Sequence, residues 1–86
     1  MARYVTPEIE DIRENPQPGK NIDLALVVSD GSISEIKKRV NRHNGNIERH
    51  LPSDVLIINL PEQKLDSFCQ TEQLESVSSP KRMSTL

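Results

Sequence analysis

Aromatic side chains are almost missing from this chain of 86 residues, which has Tyr4, Phe68 and no tryptophan. A core built from it must be aliphatic, with stability near the lower end of the usual range of about 5–15 kcal/mol. Base-stacking surfaces of the kind that read single-stranded RNA are excluded, because they need aromatics on their inner strands. Cysteine is present once, at Cys69, so no intramolecular disulfide can form. No apolar run approaches the roughly 20 residues needed to cross a bilayer. The opening Met-Ala-Arg-Tyr-Val-Thr-Pro-Glu lacks the apolar stretch of a secretory signal, which places the expected location in the cytoplasm unless a leader was removed. A net charge of −2 favours neither nucleic acid nor a membrane surface as partner.

What is present is a regular alternation of strand and helix patterns, enough for one small domain. Residues 1–21 read as an N-terminal arm. Thr6-Pro7-Glu8 has the form of a helix start, so the arm is either flexible or carries a short helix, and Pro16-Gln17-Pro18-Gly19 marks its boundary. From Ile22 to Ser29 the period is two, with Leu24, Leu26 and Val28 on one face and Ala25 and Val27 on the other. Asp30-Gly31 turns the chain, and Ser32 with Glu35 fits a capping box for a helix from Ile33 to Asn44. Ile33, Ile36 and Val40 line its inner face, and Asn44-Gly45 stops it.

A second strand is expected over Asn46 to Leu51, a tight connection over Pro52-Ser53-Asp54, and a third strand over Val55 to Leu60. Pro61-Glu62 opens a helix whose buried stripe is Leu65, Phe68 and Cys69, ending near Glu72. Leu74 to Val77 forms the last strand. Strand-helix-strand-strand-helix-strand is the ferredoxin-like α+β arrangement, a four-stranded antiparallel sheet with two helices on one face. The domain then spans 22–77, followed by a C-terminal tail, 78–86. Val55-Leu56-Ile57-Ile58 is apolar toward both faces although helices can cover only one, so the other face is expected to meet a partner.

On these residues the chain resembles the subtilisin propeptide-like protease inhibitors. The resemblance covers about Asp23 to Leu86. It rests on the Leu-Val-Val strand with its Asp30-Gly31 turn, the Asn44-Gly45 stop and the hairpin into Val55-Leu56-Ile57-Ile58-Asn59-Leu60-Pro61-Glu62. The Leu65 and Phe68 helix and Leu74-Glu75-Ser76-Val77 complete it. It implies an inhibitor, and a folding chaperone, of a subtilisin-like serine protease, with no catalytic residues and no cofactor of its own. By this resemblance the open sheet face, with Val55, Ile57 and Glu75, packs on the protease surface. Nine residues follow Val77, so the tail enters the active-site cleft like a substrate. Leu86 then fills the primary specificity pocket, Thr85 and Ser84 lie beside it, and Met83 enters a second apolar pocket. An extended tail can bind in this way by adding a strand to an exposed edge.

The chain departs from the family at Asp54-Val55, where many members begin the strand with a Gly-Phe type of pair. Ser78-Ser79-Pro80 stands where the family has acidic residues, a capping role left to Glu75, Asp54 or the Ser78 and Ser79 hydroxyls. No protease domain follows Leu86, and with the form of the N-terminus this favours a stand-alone inhibitor, monomeric when free, over an excised propeptide.

Other chemistry is poorly supplied. His43, His50 and Cys69 lack close metal-ligand spacing. Ser32 and Ser34 are accounted for by helix capping, and there is no Gly-rich phosphate loop or nucleophile elbow. Lys37, Lys38, Arg39, Arg42 and Arg49 read as a solvated basic face. The alternative is a regulatory small-molecule-binding domain of the ACT type, which shares the strand and helix order and places Asp30-Gly31 and Gly45-Asn46-Ile47 near the positions such domains use.

Overall fold

The computed structural model describes residues 3–80. Among these the chain is α+β, with one five-stranded mixed sheet and three α-helices. The elements are β1 (Tyr4–Val5), α1 (Pro7–Glu14), β2 (Asn21–Val28), α2 (Ile33–Arg42), β3 (Asn46–Leu51), β4 (Val55–Pro61), a 3₁₀ turn (Glu62–Lys64), α3 (Leu65–Cys69) and β5 (Leu74–Ser78). The strands lie side by side in the order β1-β5-β2-β4-β3.

Strands β2 to β5 pair antiparallel, with Leu24 opposite Ile58, Leu26 opposite Leu56 and Val77 opposite Leu26. Alternation along β4 is complete. Leu56, Ile58 and Leu60 are fully buried, while Val55, Ile57 and Asn59, which alternate with them, are half-buried. That is the signature of a sheet with one covered face. The covered side meets Ile36 and Val40 from α2 and Leu65, Phe68 and Cys69 from α3 in one core cluster. The core is aliphatic except for Phe68, whose ring meets the His43 ring edge-on at 5.7 Å.

The expected four-stranded antiparallel sheet with two helices is corrected by the N-terminal residues. Tyr4 and Val5 add a fifth strand, parallel to β5, opposite Ser76 and Val77. Arg3 N and Thr6 N donate to Leu74 O and Val77 O at 3.3 and 3.2 Å, extending the pairing on either side. These bonds satisfy the outer edge of β5, whose backbone groups would otherwise depend on water. Helix α1 follows directly and packs on α3, with Ile9 1% exposed in the same core cluster. The Pro16–Gly19 breaker is also tied down: Gln17 N donates to Glu62 Oε1 at 3.0 Å, and Glu62 N donates to Lys20 O at 2.9 Å.

Helix ends differ from the expected capping chemistry. Ser32 and Thr6 occupy N-cap positions, yet neither hydroxyl caps its helix, and Thr6 Oγ1 is buried with no hydrogen-bond partner. Helix α2 ends at Arg42, and Asn44 takes the left-handed conformation (φ 61°). Gly45 serves a different need. A Cβ there would lie 2.8 Å from Leu60 Cδ1 and 2.9 Å from both Asn59 O and Val40 Cγ1, so the backbone passes against β4 where no side chain fits. The second expected helix is broken into the 3₁₀ turn and the short α3.

Candidate functional site

The strand register aligns one residue from every strand in a row across the uncovered face. Tyr4 lies opposite Ser76, Ser76 opposite Val27, Val27 opposite Val55, and Val55 opposite Leu51. Four steps of about 4.8 Å make this row about 19 Å long, close to the width of two packed helices at about 8–10 Å each. Tyr4 and Val27 are its exposed large apolar side chains, 57% and 36% accessible, and Val55 and Leu51 are half-buried. The next row holds Ser78, Ala25, Ile57 and Arg49.

Below these rows the face becomes polar. Asn59 Nδ2 donates to Asp23 Oδ1 at 2.8 Å, and Asn21 Nδ2 donates to Asn59 Oδ1 at the same distance. A bulge in β3 at Glu48, between Ile47 and Arg49, brings a second carboxyl to Asp23. Hydrogen bonding with Asp23, followed by desolvation and repulsion from the Asp23 charge, raises the Glu48 pKa above the usual carboxylate value.

Beside this network lies a groove of about 580 Å³. Glu8, Ile9 and Ile12 of α1 form one side, and Ile22 and Asp23 of β2 continue it. Arg49, Leu51 and Ile57 come from β3 and β4, and Ser79 and Pro80, just past β5, complete the lining.

Three of the residues expected to touch a partner fall among the described ones. Val55 and Ile57 lie in β4 on the uncovered face, in neighbouring rows. Glu75 stands apart, as the extra residue of a bulge in β5 where Val27 and Val28 pair with Ser76 and Leu74. Its carboxylate receives a 3.2 Å hydrogen bond from Ser29 Oγ and lies 3.3 Å from Arg3 Nε. Met83, Ser84, Thr85 and Leu86 lie outside the described residues. Tyr4 belongs to the face but carries no strand signal, because two residues cannot display a period of two. The groove had no sequence signal either, since it forms from four distant segments.

His43, His50 and Cys69 form no metal set; among the described residues no group of three His, Cys, Asp or Glu side chains is placed to hold an ion. His43 Nδ1 is instead 2.8 Å from Arg39 O, to which it donates. Cys69 is buried, and burial pushes its thiol up to about 11. It stays protonated at neutral pH and is a poor nucleophile. No described helix is long and apolar enough to cross a membrane.

Among the described residues, the feature left without a role in the core is the apolar row across the open sheet face. The profile of the family described as "Putative peptidase inhibitor domain" matches residues 4–79, and the chain belongs to that family. The match begins at Tyr4, so it takes in β1 and α1 as well as the elements that follow. Neither a curated protein nor a solved structure matches the chain significantly.

Proposed function

We propose that the protein inhibits a subtilisin-like serine peptidase, holding it by the uncovered sheet face and blocking its cleft with the tail. The observation that carries this reading is contiguity. Ser79 and Pro80, from which the tail continues, line the same groove as Leu51 and Ile57 of the open face. A partner seated on that face therefore meets the root of the tail. The cross-sheet row offers apolar contact over about 19 Å, enough for two neighbouring helices of a peptidase. Tyr4 adds the kind of large amphipathic side chain that often dominates binding energy.

Division of labour between face and tail follows from effective concentration. Once the face is docked, tail insertion becomes intramolecular, and a short segment of modest affinity suffices. Met83 and Leu86 are its apolar anchors; three positions apart, they point to opposite sides of an extended strand and so enter different pockets. The protein acts as a ligand of the peptidase and contributes no catalytic group. The ordered face also makes it a template on which a peptidase can fold.

Titration of the intact protein against a panel of peptidases tests this. Stoichiometric inhibition of subtilisin-like enzymes, with cysteine and metallopeptidases unaffected, is expected. Inhibition confined to another mechanistic class would refute the subtilisin-like assignment.

A further inference from the structure

The two strands that flank the centre of the open face differ in the size of the side chains they present. In the order β1-β5-β2-β4-β3, β2 is the middle strand. On one side of it β5 offers Ser76 and Ser78, and on the other β4 offers Val55 and Ile57 in the same two rows. The first row ends in Tyr4 and Leu51, with Val27 at its centre. We propose that this face pairs with the same face of a second copy about a two-fold axis along β2, giving a weak, reversible dimer of the free protein.

A two-fold axis there lays β5 of each copy over β4 of the other, and β1 over β3. Ser76 and Ser78 then meet Val55 and Ile57, Tyr4 meets Leu51, and Val27 meets its own counterpart. Small side chains oppose large ones on both sides of the axis, which lets two sheet faces interdigitate at a separation of about 10 Å. An isologous contact uses one patch twice, so each of these fits occurs twice. An axis along the row would lose them, setting Ser76 on Ser76 and Val55 on Val55. Size limits the affinity. Five strands at about 4.8 Å, with five residues along each at about 3.4 Å, give a footprint of about 400 Å² per copy, about half that of a standard interface. Asp23, farther along β2 on the same face, meets its counterpart too, and that like-charge contact weakens the pair. The monomer expected from the sequence is then the dilute form, and a peptidase seated on the face displaces the second copy.

Sedimentation equilibrium of the full-length protein, with no peptidase present, tests the dimer separately from the inhibitor reading. The average mass should rise from the monomer's at about 10 μM toward the dimer's at about 1 mM, as a Kd on the order of 100 μM requires. In an equal mixture of ¹³C-labelled and unlabelled chains, filtered nuclear Overhauser spectra should join the Tyr4 ring to the Leu51 methyls. Val27→Asp should keep the protein monomeric at both concentrations. Asp23→Asn keeps an acceptor for Asn59 and removes the facing charges, so it should tighten the dimer at least threefold. A monomer at the higher concentration would overturn the proposal. So would a dimer that survives Val27→Asp, which would place the interface elsewhere. Contacts joining Tyr4 to Tyr4, or an Asp23→Asn dimer no tighter than the wild type, would rule out the axis along β2.

Discussion

Arg13 of α1 donates through Nε to Asp66 Oδ1 of α3 at 2.6 Å, and its Nη1 also reaches Glu10 Oε1 at 3.1 Å. This bond joins segments 53 residues apart and ties the N-terminal helix to the rest of the domain. The Asp66 side chain is 56% exposed, so solvent screens the pair and its loss should be small. Arg13→Ala is expected to cost about 1 kcal/mol, including the packing of its stem. Ile9→Ala should cost about 2–5 kcal/mol, because it empties a fully buried site. Thermal unfolding by circular dichroism checks the order: at about 4–8 °C per kcal/mol, Ile9→Ala should lower Tm by at least about 8 °C and Arg13→Ala by about 4–8 °C, the smaller shift of the two. Equal, negligible shifts would mean that α1 is not part of the cooperative unit.

Gly45 supplies a second test of packing. Its substitution by alanine brings a methyl group against a backbone oxygen, Asn59 O, that cannot rotate away. The α2–β3 turn must shift relative to β4, at a cost of about 1–3 kcal/mol. Urea denaturation should show a lower midpoint with an unchanged slope. A Gly45→Ala midpoint equal to the wild type would show that the close approach is relaxed in solution.

The Asp23–Glu48 pair makes a prediction about pH. Because the folded state raises the Glu48 pKa, it binds that proton more tightly than the unfolded chain does. The contribution of Glu48 is therefore complete below its unfolded value, about 4.3, and is lost as pH rises through the folded value. Glu48→Gln keeps a hydrogen-bond donor to Asp23 and removes the second charge. The variant should match the wild type in Tm near pH 3 and exceed it at pH 7. A difference independent of pH would contradict the pairing.

Much of this architecture was legible in the chain because burial and periodicity coincide. The apolar run Val55 to Leu60 after a turn announces a strand, and the stripe Ile36–Val40 announces the helix over it. The doubly apolar β4 also pointed to the open face. Tyr4–Val5 stayed hidden because a two-residue strand is defined by its partner, Ser76–Val77, and not by its own pattern. The capping box at Ser32 was readable but is not formed, since the hydroxyl makes no bond to the first helical turn. The Glu48 and Glu75 bulges were invisible for a related reason: a bulge appears only once two strands are set in register. The groove needs α1, β2, the β3–β4 pair and Pro80 together, and no local rule brings them to one place.

The open face can be separated from the fold by charge. Val27 is 36% exposed in the middle of the cross-sheet row, so Val27→Asp should leave the domain folded at a cost of about 1 kcal/mol, the span of strand propensities. Desolvating an unpaired carboxylate in an interface is costly, and peptidase affinity should fall at least tenfold. Affinity unchanged by Val27→Asp would move the contact surface elsewhere.

The most direct measurement is the inhibition constant against a subtilisin-like peptidase for the intact protein and for a chain ending at Arg82. Removing Met83 to Leu86 should leave the domain folded and the complex detectable, while raising the inhibition constant by two orders of magnitude or more. Equal inhibition by the two proteins would contradict the account, because the cleft would then be blocked by something other than the tail.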